Sequence, residues 1–296
     1  MRLAFIGTAA FAVPTLRALL EAGHELPLVV TQPDRPGNRL RLTPPPVKVV
    51  AQELGLAVFQ PERIRAPEAV DRLAAAEPEL VVVVAYGQII PSSILELPRR
   101  GVLNVHASLL PRWRGAAPIA HAILAGDQVT GVTIMVMDEQ LDHGPILATR
   151  DTPVGDREDA AALAQRLAPM GAQLLVETLP QLGSIAPREQ DHQSATLAPK
   201  LKKEDGELGW ELDAAEIDRR VRAFQPWPGV TLPFAGARVK MLRGLPAEGD
   251  GAPGEVLAVG AGGVEVAAGR GSYVLEEVQP PGRRPLPARI LLATDA

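Results

Sequence analysis

LVVVVA, at residues 80–85, carries no polar side chain and is dominated by valine. The run is too short for an ordinary helix and lacks the alternation of a strand with one wet face. It has the pattern of a strand buried on both sides, and such strands belong to parallel sheets covered by helices. Working outward, Leu3–Ile6 reads as an opening strand, Ala9–Leu20 as a helix carrying Phe11, Leu16, Leu19 and Leu20, and Leu28–Thr31 as the next strand. Pro46–Leu54 reads as a helix, Val58–Phe59 as a brief strand and Ala69–Ala76 as a helix. Beyond the valine run, Val102–His106, Gly131–Met137 and Ile146–Thr149 read as strands, the last two joined by the loop Asp138–Pro145, and Arg157–Leu179 as a long amphipathic helix. With right-handed crossovers, this alternation predicts an α/β chain whose residues 1–182 form a Rossmann-like doubly wound, mainly parallel sheet.

The pattern then changes. Residues 183–205 are polar, Pro- and Lys-bearing and without periodicity, and read as an interdomain linker. In residues 206–296, Ala214–Phe224 reads as a helix with Asp213 as its N-cap. Five short β-type runs follow at Val230–Pro233, Arg238–Leu242, Gly254–Val259, Gly263–Ala267 and Ser272–Val278. Short strands between glycine turns predict a small C-terminal β-barrel of the oligonucleotide-binding type.

Composition narrows the chemistry. The absence of cysteine excludes disulfides, thiol nucleophiles and cysteine-ligated zinc, and with only five histidines no metal site is expected. A net charge of −5 argues against a broad nucleic-acid-binding surface but permits local basic patches. MRLAFIG reads directly as a strand entering a turn rather than a leader, and no apolar run has the length of a membrane span, so a cytoplasmic protein is expected. The first turn, GTAAF, lacks the later glycines of a dinucleotide fingerprint, which argues against hydride transfer.

Asn104 and His106 stand two apart at the carboxyl end of a predicted parallel strand, so their side chains share a face. Ligands of open α/β sheets bind at that edge. An amide in a strand that is otherwise apolar is costly unless it has a partner, and Asn104 is one of only two asparagines in the chain. Of the carboxylates in the loop after Met137, Asp142 is the candidate to meet a histidine and hold its charged form, whereas Glu139 reads as solvated.

On TQPDRP (31–36), PPPVKVVAQELGLAVFQP (44–61), VVVAYGQIIP (82–91), NVHASLLPRWRGAAPI (104–119), GDQVTGVTIMVMDEQLDHGPIL (126–147), APKLKKEDGELGW (198–210) and IDRRVRAFQPWPG (217–229), the chain resembles the folate-dependent formyltransferases, and within them those that act on methionyl-tRNA. The resemblance implies formyl transfer from 10-formyltetrahydrofolate to the amine of charged initiator tRNA. It assigns Asn104, His106 and Asp142 the catalytic role. Ser108, Leu109, Leu110 and Pro111 would contact the folate, with Val84, Tyr86, Gly87, Ile89, Leu141 and Gly144 around its pteridine. Arg35, Arg39, Arg41 and Lys48 would meet tRNA phosphates, joined along the linker by Lys200, Lys202 and Lys203. A monomer is expected, with no membrane partner. Against the family pattern, Gln140 stands for a common glycine and His143 for a common threonine. An acceptor of a different kind, a nucleotide-linked amino sugar, is the alternative for the same chemistry, and a non-catalytic RNA-binding protein is the alternative of another class.

Overall fold

The computed structural model describes residues 1–36 and 42–293. Arg39 and Arg41 therefore lie outside the described residues. The chain forms two compact units that do not follow chain order. The first comprises Met1–Pro118, Val129–Pro153 and Ala164–Ala198, and the second Ile119–Gln128, Val154–Leu163 and Pro199–Ala296.

The first unit holds a seven-stranded sheet built from β1 (Arg2–Gly7), β2 (Glu25–Val30), β3 (Val58–Phe59), β4 (Leu80–Val84), β5 (Val102–His106), β6 (Val129–Val136) and β7 (Ile146–Pro153), in the order β7-β6-β5-β4-β1-β2-β3. The five strands from β3 to β5 run parallel, with β1 at the point where the winding reverses. β6 runs antiparallel to β5 on one side and to β7 on the other. Residues 137–145 join β6 to β7, and so short a connection cannot make a parallel crossover.

All five residues of β4 are buried, as its unbroken apolar run requires. Ala4, Ile6, Leu28, Val30, Val81 and Val83 share one core with Ala69 and Leu73 of the helix Pro67–Ala74, showing the period of two on each strand. A fully buried valine contributes about 1.5–3 kcal/mol relative to an exposed one. The helix Ala160–Thr178 carries Pro169 and Gly171 in its interior, both poor helix formers. Gly171 is there because a Cβ at that position would lie 2.6 Å from Val105 Cγ1 on β5.

Three helix starts differ from the sequence reading: the long helix predicted from Arg157 begins at Ala160, and proline explains the other two. The predicted helix Ala9–Leu20 is a 3₁₀ turn at Ala10–Ala12 followed by an α-helix at Val13–Glu21, with Pro14 in its first turn. The helix predicted from Ala69 begins at Pro67. The proline ring suits a first turn, where its missing N–H has no partner to lose.

The second unit carries a six-stranded antiparallel sheet, whose five longer strands are β8 (Val230–Phe234), β9 (Ala237–Ala247), β10 (Val256–Gly260), β11 (Gly263–Ala267) and β12 (Ser272–Gln279). Their order is β8-β9-β12-β11-β10. Val230, Leu232 and Phe234 alternate inward from β8, and Tyr273, Leu275 and Val278 are buried on β12. The helix Ala214–Ala223 buries Ile217 and Val221 and carries the pairs Glu216–Arg220 and Asp218–Arg222 one turn apart. Asp213 occupies its N-cap position but makes no side-chain cap bond; its carboxylate pairs with Arg270 at 2.7 Å instead.

Candidate active site

β5 delivers Asn104 and His106 to the carboxyl edge of the first unit's sheet, and Asp142 reaches them from the loop between β6 and β7. Asn104 Nδ2 donates to Asp142 Oδ1 at 3.2 Å, and the backbone N–H of Gly115 donates to Oδ2 at 2.8 Å. His106 Nδ1 lies 3.8 Å from the same Oδ2. His106 is only 5% exposed. Its Nε2 is 2.9 Å from the carbonyl oxygen of Trp113. A carbonyl can only accept, so Nε2 carries the hydrogen, and Nδ1 is the nitrogen that faces the acid. Asn104 has a second amide hydrogen beyond the one given to Asp142. The expected trio is thus gathered on one edge, with the carboxylate as its hub.

The backbone around this edge is held in rare conformations. Ala85, Trp113 and Asp142 all have positive φ, at 44°, 63° and 46°. Such residues persist only where surrounding bonds over-determine them, and they concentrate at functional sites.

The residues assigned to the folate divide into two groups. Gly87 is exposed, Ile89 is 81% exposed and Leu141 is 61% exposed. Their two loops are tied together by Ser92 Oγ, which donates to Glu139 at 2.6 Å. Ile89 and Leu141 thus offer apolar surface suited to a flat ring. Val84, Tyr86, Ser108 and Leu110, by contrast, are buried within the protein. Ser108 Oγ donates to the Arg112 carbonyl at 2.6 Å, and Leu110 packs with Met135 and Ile146. A ligand there would meet their backbone, not their side chains. Leu109 and Pro111 are half-buried, and Gly144 is buried against β6. Burial holds the Tyr86 hydroxyl up at about 12, so it stays protonated in any ordinary buffer.

Among the cations assigned to tRNA, Arg35 is exposed and 4.0 Å from Glu62, and Lys200, Lys202 and Lys203 are exposed. Lys48 behaves differently. Its ammonium lies 2.8 Å from both oxygens of Asp34, and Gln60 donates to the same carboxylate. The pair pins the foot of a short ladder, Arg35–Pro36 against Leu42–Thr43, so the charge of Lys48 is already matched inside the protein. The hydrogen bond from Gln60, then the one from Lys48, lower the Asp34 carboxyl below its ordinary value. A lowered folded-state value contributes stability above the unfolded value, and this is lost as pH falls through the folded value. Denaturant titration of Lys48→Met between about pH 2.5 and 6 should accordingly show a weaker acid dependence than the parent. Identical curves would mean that the pair does not form.

His143, the departure beside Asp142, does not stand free. Its Nδ1 is 2.7 Å from Asp138, and its ring stacks on His192 at 3.9 Å. The backbone N–H of Gln140 donates to the same Asp138. Trp227 is 53% exposed, and Trp113 is half-buried beneath the Arg112 guanidinium.

The sequence reading missed four contributors: the Gly115 N–H, the Trp113 carbonyl, Arg114 and Gln190. Backbone donors and acceptors leave no residue-type signal. Gln190 falls in the stretch read as linker, yet it is 5% exposed and bonded to the Asp142 loop. Among the described residues, no three metal-type side chains cluster, and no helix is long and apolar enough to cross a membrane.

Residues 1–179 match the formyl transferase family model, and residues 200–295 match that of the formyl transferase C-terminal domain. A methionyl-tRNA formyltransferase from Citrifermentans bemidjiense is 48% identical over 296 residues, covering 99% of this chain and 93% of that protein. The chain belongs to the methionyl-tRNA formyltransferase family. A member of this family from Methylococcus capsulatus is also 48% identical, over 100% of the chain and 97% of its own length. Two solved structures share the family's fold at lower identity. HypX from Aquifex aeolicus, in complex with tetrahydrofolic acid, superposes with a TM-score of 0.68 at 21% identity, over all of this chain and 47% of its own. An N-formyltransferase from Helicobacter canadensis, in complex with folinic acid and dTDP-3-aminofucose, gives 0.67 at 15% identity, over 95% and 99%.

Proposed function

We propose that the chain transfers the formyl group of 10-formyltetrahydrofolate to the amino group of methionine on charged initiator tRNA, using Asn104, His106 and Asp142. The observation that carries the site assignment is the Asp142 carboxylate, hydrogen-bonded by Asn104 and Gly115 and faced by His106 at the ligand-binding edge of the sheet. The folate donor supplies a formyl carbon bonded to nitrogen, activated enough for an amine to attack.

The residues' own contributions follow from their geometry. Attack by the amine makes a tetrahedral centre whose oxygen carries negative charge. The second amide hydrogen of Asn104 donates to that oxygen. The Asp142 carboxylate faces Nδ1 of His106 at 3.8 Å, and the Trp113 carbonyl keeps the ring from turning. The nitrogen that attacks loses a proton, and the nitrogen that leaves gains one. Nδ1 of His106 and the Asp142 carboxylate are the groups beside the reaction able to hold it in between.

Exposed Gly87 and Ile89 on one loop and Leu141 on the other line the pteridine end. Arg35, Arg39, Arg41, Lys200, Lys202 and Lys203 neutralise tRNA phosphates, and Lys48 supports them by fixing Asp34. Residues 206–296 act as an oligonucleotide-binding-type platform for the tRNA.

The purified chain, given 10-formyltetrahydrofolate and either charged initiator tRNA or a nucleotide-linked amino sugar, should formylate the tRNA and leave the sugar unchanged. Formylation of the sugar alone would reverse the assignment of acceptor.

A further inference from the structure

We propose that Arg114 and Gln190 are positioning residues for formyl transfer, which set the placement of Asp142 without touching substrate. The inference rests on the reading of Asp142 as catalytic.

Gln190 is 5% exposed and Arg114 is 7% exposed. Gln190 Nε2 lies 2.9 Å from the backbone carbonyl of Asp142 and 2.7 Å from that of Gly144. Gln190 Oε1 accepts from Arg114 Nε at 3.0 Å and from Arg114 Nη2 at 2.7 Å. Carbonyls only accept and a guanidinium only donates, so the amide can be oriented in only one way. Both amide hydrogens and both oxygen lone pairs are then used, which leaves the side chain no second arrangement of equal energy. Arg114 Nη2 also meets His192 Nδ1 at 2.9 Å, and that nitrogen must be the acceptor.

The loop so gripped needs gripping. Asp142 sits at φ +46°, a conformation that a free loop would leave. Arg114 and Gly115 are themselves paired, parallel, with Leu197 and Ala198. Adjacent residues thus hold the acid from both sides: the Gly115 N–H binds its carboxylate, and Arg114, through Gln190, binds its backbone. A shift of about 1 Å in such a group can cost about 100-fold in rate.

The test uses the full chain and single-turnover formylation of charged initiator tRNA. Gln190→Ala removes both grips, and Gln190→Glu keeps the shape and the Arg114 contact but removes the N–H groups that the two carbonyls need. Each should lower the rate about 30- to 100-fold, with KM for the tRNA changed less than about threefold and a cooperative melt retained.

The deciding readout is a double-mutant cycle with Asp142→Ala. A residue that acts through Asp142 has nothing further to lose once the carboxylate is gone, so Gln190→Glu in that background should leave the residual rate unchanged. An independent, merely structural role would give multiplying losses and overturn the proposal. So would a near-parental rate for Gln190→Glu alone. Asp142→Ala by itself separates the two readings: full activity there sinks the catalytic assignment and this inference with it. A dead Asp142→Ala beside an active Gln190→Glu sinks this inference only.

Discussion

Replacing Asp142 or His106 by alanine is expected to lower the single-turnover rate of formyl transfer by about 100-fold or more, while the protein stays folded. The two losses have one origin. Asp142 is the acceptor for Asn104 and Gly115, so its removal frees the Asn104 amide to turn and takes the negative charge away from Nδ1 of His106. Removing His106 deletes the proton-holding group and the ring donor that meets the Trp113 carbonyl. Because the residues act as one unit, the double variant should be little slower than the worse single one. Thermal melts run beside the kinetics separate loss of chemistry from loss of fold. Rates within a few fold of the parent in both variants would remove the basis of the site assignment.

The second large effect is expected at Gly144. A Cβ there would run into the carbonyl oxygen of Val136 and stand 3.1 Å from its carbon. Val136 cannot yield, because its own N–H is bonded to Pro145 and the residue pairs with Leu103 on β5. The loop must move instead, and it carries Asp142 two residues away. Gly144→Ala should therefore cost about 1–3 kcal/mol of stability through overpacking and slow transfer about 100-fold by misplacing the acid. The two readouts need not track each other. Full stability with full activity would show that the loop has slack that these distances do not reveal.

Much of this molecule was legible in its residues, and what was hidden shares a cause. The valine run at 80–84 fixed a doubly covered strand, because an unbroken apolar run cannot tolerate water on either face. Asn104 drew attention because an amide costs free energy in an apolar strand unless something binds it, and Asp142 does. Helix starts went wrong at Pro14 and Pro67, where apolar periodicity outvoted the stronger constraint of the ring. Lys48 was assigned to phosphate through the resemblance of its loop, and only coordinates put Asp34 against it. The grip of Gln190 on Asp142 spans 48 positions of chain and ends on backbone oxygens, so no local pattern could announce it.

The pairing of Leu197–Ala198 with Arg114–Gly115 bears on where the chain can be cut. A protease that nicked the backbone near residue 183 would leave every strand of the seven-stranded sheet in place. It would also set adrift Gln190, and Thr196, whose hydroxyl accepts from the Trp113 N–H. The nicked protein would keep its sheets by circular dichroism and yet be a poor enzyme, because the clasp that closes the site has lost its tether to the long helix.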